Sequence, residues 1–154
     1  MRLEDVARAI EIATSGDEAP RWAPDVYERA LDPEAAPVRI SLVAEDPEAG
    51  ILGFLVTVLI PPQAELEMIA VSRAARRQGI ARGLMAAMMA ELKERHITEV
   101  MLEVRESNHP ARLLYVSVGF AETGRRPAYY ADPQEDAVLL QRSVGGQDPE
   151  LILP

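Results

Sequence analysis

The spacing of apolar residues along the chain predicts four helices. Near the N-terminus, apolar residues recur three or four positions apart and share one face, which comprises Leu3, Val6, Ile10 and Ala13. A short helix, PDVYERAL, follows a proline-rich segment that holds the only tryptophan, APRWAP. A longer helix is predicted from about Ile80 to Arg95, with a core-facing stripe of Ile80, Leu84, Met88 and Leu92. A last short helix begins after SNHP, capped by Ser107 or Asn108, and ends near Val118.

The other apolar segments have the composition and period of strands. ILGFLVTVLI (51–60) is continuously apolar and rich in β-branched residues, as in a strand buried on both faces. In ITEVMLEVRE (97–106) the apolar side chains alternate with polar ones. Further strands are predicted in RISLVAED (39–46), AELEMIAVS (64–72), GFAETGRR (119–126) and DAVLLQR (136–142). This order predicts a mixed α/β domain (α+β) with one central sheet and helices on both faces. A doubly wound dinucleotide fold is excluded, because the strands cluster and no G-x-G-x-x-G follows a strand.

The chain has the length of a single domain. Its 154 residues are enough to bury a core without disulfides or metals. We expect the domain to span residues 1–142, since no repeat or linker interrupts them. The remaining segment, SVGGQDPELILP (143–154), contains glycine, proline and few packing residues. We therefore expect a loosely ordered C-terminal tail.

Charge and composition narrow the classes of function. The formal net charge of −9 argues against a nucleic-acid-binding protein, because neutralising phosphates requires a basic footprint. The same charge favours cationic partners. The chain has no cysteine, and His96 and His109 are far apart, so we predict no metal site. No apolar run approaches the roughly 20 residues of a membrane span, and acidic residues stand where a signal peptide is apolar. A cytoplasmic protein without a membrane partner is expected.

The segment RRQGIARG (76–83) has the features of an anion site. Gly79 stands where a strand and short loop give way to a helix, and the first turn of a helix has unpaired N–H groups. The alternative is that these arginines only cover an exposed helix start, although the helix dipole disfavours cations there. A Walker-type nucleotide loop is excluded, since G-K-[ST] does not follow. The stretch by itself leaves both interpretations open.

Longer motifs resemble a known family. RRQGIA fits the [QR]-x-x-G-x-[GA] signature of the GNAT N-acetyltransferase superfamily, and it lies between a strand and a long helix as in that family. SNHPARLLYVSVGF is similar to the family's S-N-x-x-A-x-x-L-Y-x-x-x-G-F. RRPAYYADPQEDAVLL and APRWAP resemble the bacterial ribosomal-protein alanine N-acetyltransferase (RimI-type) subgroup. The resemblance extends to about Arg142. It implies the GNAT fold, with a mostly antiparallel sheet that splays at the cofactor site.

The resemblance implies that the cofactor is acetyl-CoA, with CoA as product. Its pyrophosphate is expected on the backbone of the signature loop, and its pantetheine along the preceding strand. A backbone N–H near Val71 is a candidate donor to the oxyanion that develops on the thioester. The expected cofactor-binding residues are Ile69, Ala70, Val71, Arg76, Arg77, Gln78, Gly79, Ile80, Ala81, Asn108 and Tyr115.

Three residues are candidates for proton transfer. Tyr115 matches the family tyrosine that protonates the departing thiolate, and Glu103 matches the proposed general base of the subgroup. Glu65 is a competing base or substrate anchor. Each also has a structural interpretation: Glu103 could pair with Arg105 or a neighbouring strand, and Tyr115 could pack in the core. Both interpretations stay open at this point.

The expected acceptor is the amine at a protein or peptide N-terminus, with a basic ribosomal protein as the candidate partner. Candidate substrate-binding residues are Trp22, Glu67, Tyr129 and Tyr130. The alternatives are an enzyme for a small amine or antibiotic, and a non-catalytic acyl-CoA-binding module. We expect a monomer or weak dimer.

Two departures from the family pattern bear on these expectations. Only Met1 and Arg2 precede the first helix, so the first family strand is short or missing, or the native start lies upstream. Met68 stands where the subgroup commonly has asparagine, which bears on the substrate more than on the cofactor.

Overall fold

The computed structural model describes residues 1–16 and 19–146. Four α-helices and six strands follow one another in the predicted order. The helices are α1 Val6–Thr14, α2 Pro24–Ala30, α3 Ile80–Glu94 and α4 His109–Ser117. The strands are β1 Arg39–Asp46, β2 Gly50–Ile60, β3 Gln63–Val71, β4 Glu99–Arg105, β5 Ala121–Tyr130 and β6 Glu135–Ser143. Short 3-10 turns at Leu3–Asp5 and Arg73–Ala75 precede α1 and α3.

The strands form one six-stranded sheet in the order β1-β2-β3-β4-β6-β5. Every neighbouring pair is antiparallel except β3 and β4, which are parallel. The mixed, mostly antiparallel sheet that the resemblance implied is therefore confirmed. Its single parallel pair lies at the centre, where α3 connects β3 to β4.

The parallel pair separates after a few residues. Gln63, Ala64 and Glu65 pair with Glu99, Val100 and Met101, and no pairing follows beyond Glu65. From Leu66 to Val71, β3 therefore pairs with β2 alone. The two central strands splay apart, as expected, and the β3 edge that faces β4 keeps free backbone groups.

A β-bulge lies in β3 at the start of this split. Val56 of β2 pairs with Met68, whereas the next residue, Thr57, pairs with Leu66, so Glu67 is the extra residue. In a strand without a bulge, Leu66 and Met68 would lie on the same face. The bulge turns Leu66 into the core beside α3 and α4, and Met68 into the core beside α1 and α2.

The helices cover both faces of the sheet as predicted. The stripe on α3 is confirmed, since Leu84, Met88 and Leu92 are buried. The predicted face of α1 is partly wrong, because Leu3 is 69% exposed. Leu3 lies in the 3-10 turn, whose three-residue period does not continue the α-helical face. The buried face of α1 instead comprises Val6, Ala9, Ile12 and Ala13.

The two ends of the described part bear on the expected first strand and on the expected domain boundary. Within the described residues no strand precedes α1, and the Met1 amine donates to the Ser41 carbonyl of β1 at 2.8 Å. At the other end β6 reaches Ser143 and Val144 is buried, so packing continues past residue 142. Residues 147–154 of the predicted tail lie outside the described residues. No helix of the described part is long and apolar enough to cross a membrane.

Candidate active site

A cleft of about 1100 Å³ opens where β3 and β4 separate. Leu66 to Val71 of β3 form one wall, and Leu102 to Arg105 of β4 form the other. Residues of α4, the β5–β6 connection and the segment after α1 complete the lining. The split in the sheet is therefore a binding space with backbone groups of β3 along one side.

A second cavity of about 400 Å³ continues the cleft toward α3. It is lined by Pro110, Leu114 and residues of the RRQGIARG segment (76–83), hereafter the glycine loop. The residues that line both cavities are Val71, Arg76, Ala81, Pro110 and Leu114. One extended ligand can therefore reach from the strand split to the start of α3.

The start of α3 has the backbone of an anion site. Gly79 is the N-cap residue with a φ of 78°, a left-handed conformation that glycine adopts without strain. The N–H groups of Gly79, Ile80, Ala81 and Arg82 make no hydrogen bond within the described residues. These free donors stand at the positive end of the helix dipole. The arrangement favours the anion-site interpretation of RRQGIARG over a covered helix start.

The arginines near this loop have other contacts as well. Arg76 Nε lies 3.5 Å from the Val71 carbonyl, and Arg82 donates to Ser117 of α4 at 2.8 Å. Gln78 donates to the Ala74 carbonyl at 3.3 Å and lines neither cavity. The backbone, assisted by Arg76, Arg77 and Arg82 at the cavity wall, is therefore the candidate anion site.

Gly53 of β2 is a residue that the sequence analysis missed. A Cβ at this position would lie 2.9 Å from the Ala70 carbonyl oxygen and 3.2 Å from side-chain atoms of Val71 and Ile80. Only glycine lets β2 approach both β3 and the first turn of α3 this closely. A glycine inside an otherwise apolar strand was the available signal.

Tyr115 lies in the wall of the cleft on the α3 and α4 side of the sheet. Its side chain is 7% exposed and packs 6.0 Å from the Phe120 ring, centroid to centroid. Burial, with a smaller effect of Tyr130, raises the pKa of Tyr115 to about 12. The phenol therefore remains protonated at neutral pH, as a proton donor requires.

Glu103 enters the cleft from the other face of the sheet. Its neighbours Leu102 and Val104 pack in the core beside α3, so the carboxylate points to the opposite face of β4. Glu103 Oε1 lies 3.2 Å from Arg126 Nη1. Glu103 also lies near the Tyr129 hydroxyl and raises the pKa of that tyrosine. Tyr115 and Glu103 thus approach the cleft from opposite faces of the sheet.

Two further carboxylates lie near Glu103. Glu65 has a raised pKa, caused first by burial and then by the charges of Glu103 and Glu67. Glu67 lines the cleft and forms a two-pronged ion pair with Arg39 of β1, at 2.7 and 3.1 Å. Glu65 does not line the cleft, so Glu103 is the better placed of the two candidate bases.

Arg105 organises the connection between β5 and β6. The sequence left Arg105 open as a partner of Glu103, but Arg105 pairs instead with Glu135 at 2.9 Å. It also donates to the carbonyls of Ala131 and Pro133 and lies 4.3 Å over the Tyr130 ring. These contacts hold Tyr130 at the cleft, where burial is the first cause that raises its pKa to about 12.

Not every predicted residue belongs to the cleft. Trp22 packs edge to face on Tyr27, 5.5 Å away, and is absent from the lining. Tyr129 is half exposed and meets the ring of Tyr130 at 5.0 Å. Asn108 lines the cleft, but its side chain caps α4 by accepting from the Ala111 N–H at 3.2 Å. The structure brings together β3, the loop before α3, Tyr115 and Glu103, whereas Trp22 is partly buried against the core beside α1 and α2.

This arrangement suits acyl transfer from a long, anionic donor. The loop can hold phosphates, the free edge of β3 can pair with amide groups, and a neutral phenol and a carboxylate flank the space between the strands. Attack of an amine on a thioester requires a base for the amine and an acid for the departing thiolate, and Glu103 and Tyr115 lie on opposite sides of this space.

Comparison with known proteins agrees with this chemistry. Residues 3–120 match the acetyltransferase (GNAT) family. A Bacillus subtilis protein, provisionally named ribosomal protein bS18-alanine N-acetyltransferase, is 32% identical over 140 residues, 91% of this chain and 90% of that protein.

Solved structures show the same likeness. The ribosomal-protein-S18-alanine N-acetyltransferase from Escherichia coli superposes with a TM-score of 0.82 and 26% identity, over 99% of this chain and 96% of that chain. A chain of the NatC complex bound to Gag peptide and CoA gives a TM-score of 0.79 and 26% identity, over 91% of each chain. Since the family match spans most of the sequence and carries the RRQGIA loop, this protein belongs to the GNAT family of acetyltransferases.

Proposed function

We propose that this protein transfers an acetyl group from acetyl-CoA to the α-amine at a protein N-terminus, by direct attack. The observation that carries the proposal is the continuous cleft that joins the glycine loop, Tyr115 and Glu103. The Bacillus subtilis and Escherichia coli relatives are named for alanine acetylation of ribosomal protein bS18, and the NatC complex binds a peptide with CoA. These names support a protein N-terminus as the acceptor.

The chain's residues fit CoA along the length of the cleft. The free N–H groups of residues 79–82 and the side chains of Arg76 and Arg77 would hold the pyrophosphate. The unpaired β3 edge from Leu66 to Val71 would pair with the amides of the pantetheine arm. When bound, acetyl-CoA supplies the acetyl thioester.

Tyr115 is the proposed acid for the departing thiolate. Because its pKa is raised to about 12, the phenol carries its proton at neutral pH and can donate a hydrogen bond to the departing sulfur. A backbone N–H near Val71, at the end of the free β3 edge, is the proposed donor to the oxyanion.

Glu103 is the proposed base for the acceptor amine. A terminal α-amine has a pKa of about 8, so its deprotonation at neutral pH costs only ~1.4 kcal/mol. A lysine amine, with a pKa near 10.4, costs roughly 4 to 5 kcal/mol. A single carboxylate therefore suffices for an α-amine. Glu65 is kept as the alternative base or as an anchor for the ammonium form.

The acceptor enters, in this proposal, from the face that carries Glu103. Glu67 and Tyr130 line the cleft there, and Tyr129 lies beside Tyr130. A basic N-terminal tail suits the net charge of −9. Trp22 packs on Tyr27 and does not line the cleft, so this proposal gives it no contact with the acceptor.

Release of free thiol from acetyl-CoA tests the proposal. The acceptors are a peptide that begins with alanine, the same peptide with a blocked N-terminus and an internal lysine, and a polyamine. We expect thiol release only with the peptide that begins with alanine and has a free N-terminus. Mass spectrometry should locate the acetyl group on its N-terminal residue. Release with the polyamine alone would instead assign a small-amine enzyme, and CoA binding without any release would assign a binding module.

A further inference from the structure

The proposed base is already bound to a cation of the same chain. Glu103 lies in the cleft wall and its side chain is 16% exposed. Arg126 of β5 reaches it with Nη1 3.2 Å from Oε1. The Tyr129 hydroxyl lies near the same carboxylate, which raises the pKa of this tyrosine. The carboxylate that is expected to meet an acceptor amine is therefore occupied by a guanidinium.

The surroundings of this ion pair are acidic. Glu67 and Glu103 lie close to Glu65. Their negative charges disfavour ionisation of the Glu65 carboxyl. Glu67 has its own cation, Arg39. Glu65 forms no ion pair within the described residues, and Arg126 is the cation that favours its charged form. Arg126 thus supplies positive charge to two carboxylates at once.

Arg126 is also easily displaced. Its side chain is 56% exposed, and its other contact is with the Tyr129 ring, 5.5 Å from the guanidinium carbon to the centroid. An ion pair with one partner this exposed is weak, because water solvates the guanidinium equally well. The neighbouring Arg125 differs, since it pairs with both Glu106 and Glu122.

We propose that Arg126 holds the place of the acceptor's ammonium group, and that the acceptor binds by displacing it from Glu103. The inference rests on the proposed function. The exchange replaces one cation by another beside Glu65 and Glu103, so the carboxylates are never left uncompensated. The guanidinium turns into solvent, and the ammonium then gives its proton to Glu103. Arg126 therefore lowers the affinity for the acceptor, and it discriminates against acceptors without a positive charge.

Equilibrium binding tests this exchange without turnover. An alanine-started peptide is titrated calorimetrically into the CoA-loaded protein, for the wild type, Arg126→Gln, Arg126→Lys and the control Arg125→Gln. We expect Arg126→Gln to bind the peptide roughly three- to tenfold more tightly, the range of an exposed ion pair. Arg126→Lys, which keeps the charge, and Arg125→Gln should bind as the wild type does. The Kd of CoA should be the same in all four proteins.

A small cation distinguishes displacement from a structural effect. Methylguanidinium should weaken peptide binding to Arg126→Gln, because it fills the vacated position, and should have less effect on the wild type. Equal or weaker peptide binding by Arg126→Gln would overturn the inference while leaving the proposed function standing, and so would tight binding by Arg126→Lys. No peptide binding by any of the four proteins would overturn the proposed function and the inference with it.

Discussion

Arg39 and Glu67 form a two-pronged ion pair across a strand that lies between them. Nε and Nη2 of Arg39, on β1, donate to the two carboxylate oxygens of Glu67, on β3, at 2.7 and 3.1 Å. Both side chains are about one-fifth exposed. Because Glu67 is the bulged residue of β3, this pair holds the strand where it turns away from β4.

Replacement of Glu67 by glutamine should destabilise the fold. The Arg39 guanidinium would lose a carboxylate in a partly buried place, which we expect to lower the free energy of unfolding by about 1 to 3 kcal/mol. Urea denaturation measures this change. Arg29→Gln, which breaks the exposed pair with Asp25, is the control and should change stability by less than about 0.5 kcal/mol. Equal effects would show that the bulge does not depend on the ion pair.

Tyr115→Phe should remove the proton donor and keep the packing against Phe120. We expect kcat to fall by about 100-fold or more, with the Kd of acetyl-CoA nearly unchanged. Steady-state kinetics measures kcat, and calorimetry measures the Kd of acetyl-CoA. Tyr27→Phe is the matched control, because this tyrosine is equally buried but contacts Met68 in the other core cluster. Turnover that survives in Tyr115→Phe would exclude this residue as the acid.

Glu103→Gln should produce a defect that depends on pH. At neutral pH, kcat/KM should fall by about 100-fold, since the acceptor is mostly an ammonium and its base is gone. Above the amine pKa of about 8 the acceptor is already neutral, so the defect should shrink. A pH profile with the alanine-started peptide measures it. Glu65→Gln is the comparison, and a larger defect in that variant would make Glu65 the base.

Gly53→Ala should affect both stability and cofactor binding. The added Cβ would meet the Ala70 carbonyl at 2.9 Å, which the backbone must relieve by moving β3 or α3. We expect a loss of about 1 to 3 kcal/mol in unfolding free energy and a higher Kd for acetyl-CoA. Gly83→Ala is the control, since nothing lies within 4 Å of its added Cβ. Unaltered acetyl-CoA binding by Gly53→Ala would show that this close approach does not shape the site.

Protonation of Glu135 should make the fold less stable in acid. Hydrogen bonds from Arg105 and then Ser107 lower the pKa of this carboxyl below its usual value of 4.5. A lowered folded-state pKa stabilises the fold above about pH 4.5, and this stabilisation is lost as the pH falls through the folded-state pKa. The stability difference between wild type and Glu135→Gln should therefore be largest near neutral pH and shrink below about pH 4.5. Urea midpoints at several pH values measure it, with the exposed turn residue Glu48→Gln as control. A difference that does not vary with pH would contradict the assignment.

The sequence by itself determined the elements, the family and the glycine loop. The α3 stripe of Leu84, Met88 and Leu92 and the alternation in β4 follow from side-chain periodicity, which is a local property of the backbone. Gly79 at a helix start indicated a candidate anion site but left a covered helix start open, and the backbone N–H groups of α3 in the structure favour the former. Tyr115 was found through a motif within a single helix.

Only the tertiary structure decided the partners of the charged residues. The chain order placed Arg105 beside Glu103, yet Arg105 pairs with Glu135 and Glu103 pairs with Arg126. Such partners depend on strand order and register, which place residues far apart in the chain side by side. The bulge at Glu67 reverses the faces of β3 and cannot be read from alternation. The positions of the carboxylates around the cleft, and the cation that covers one of them, are therefore properties of the assembled sheet.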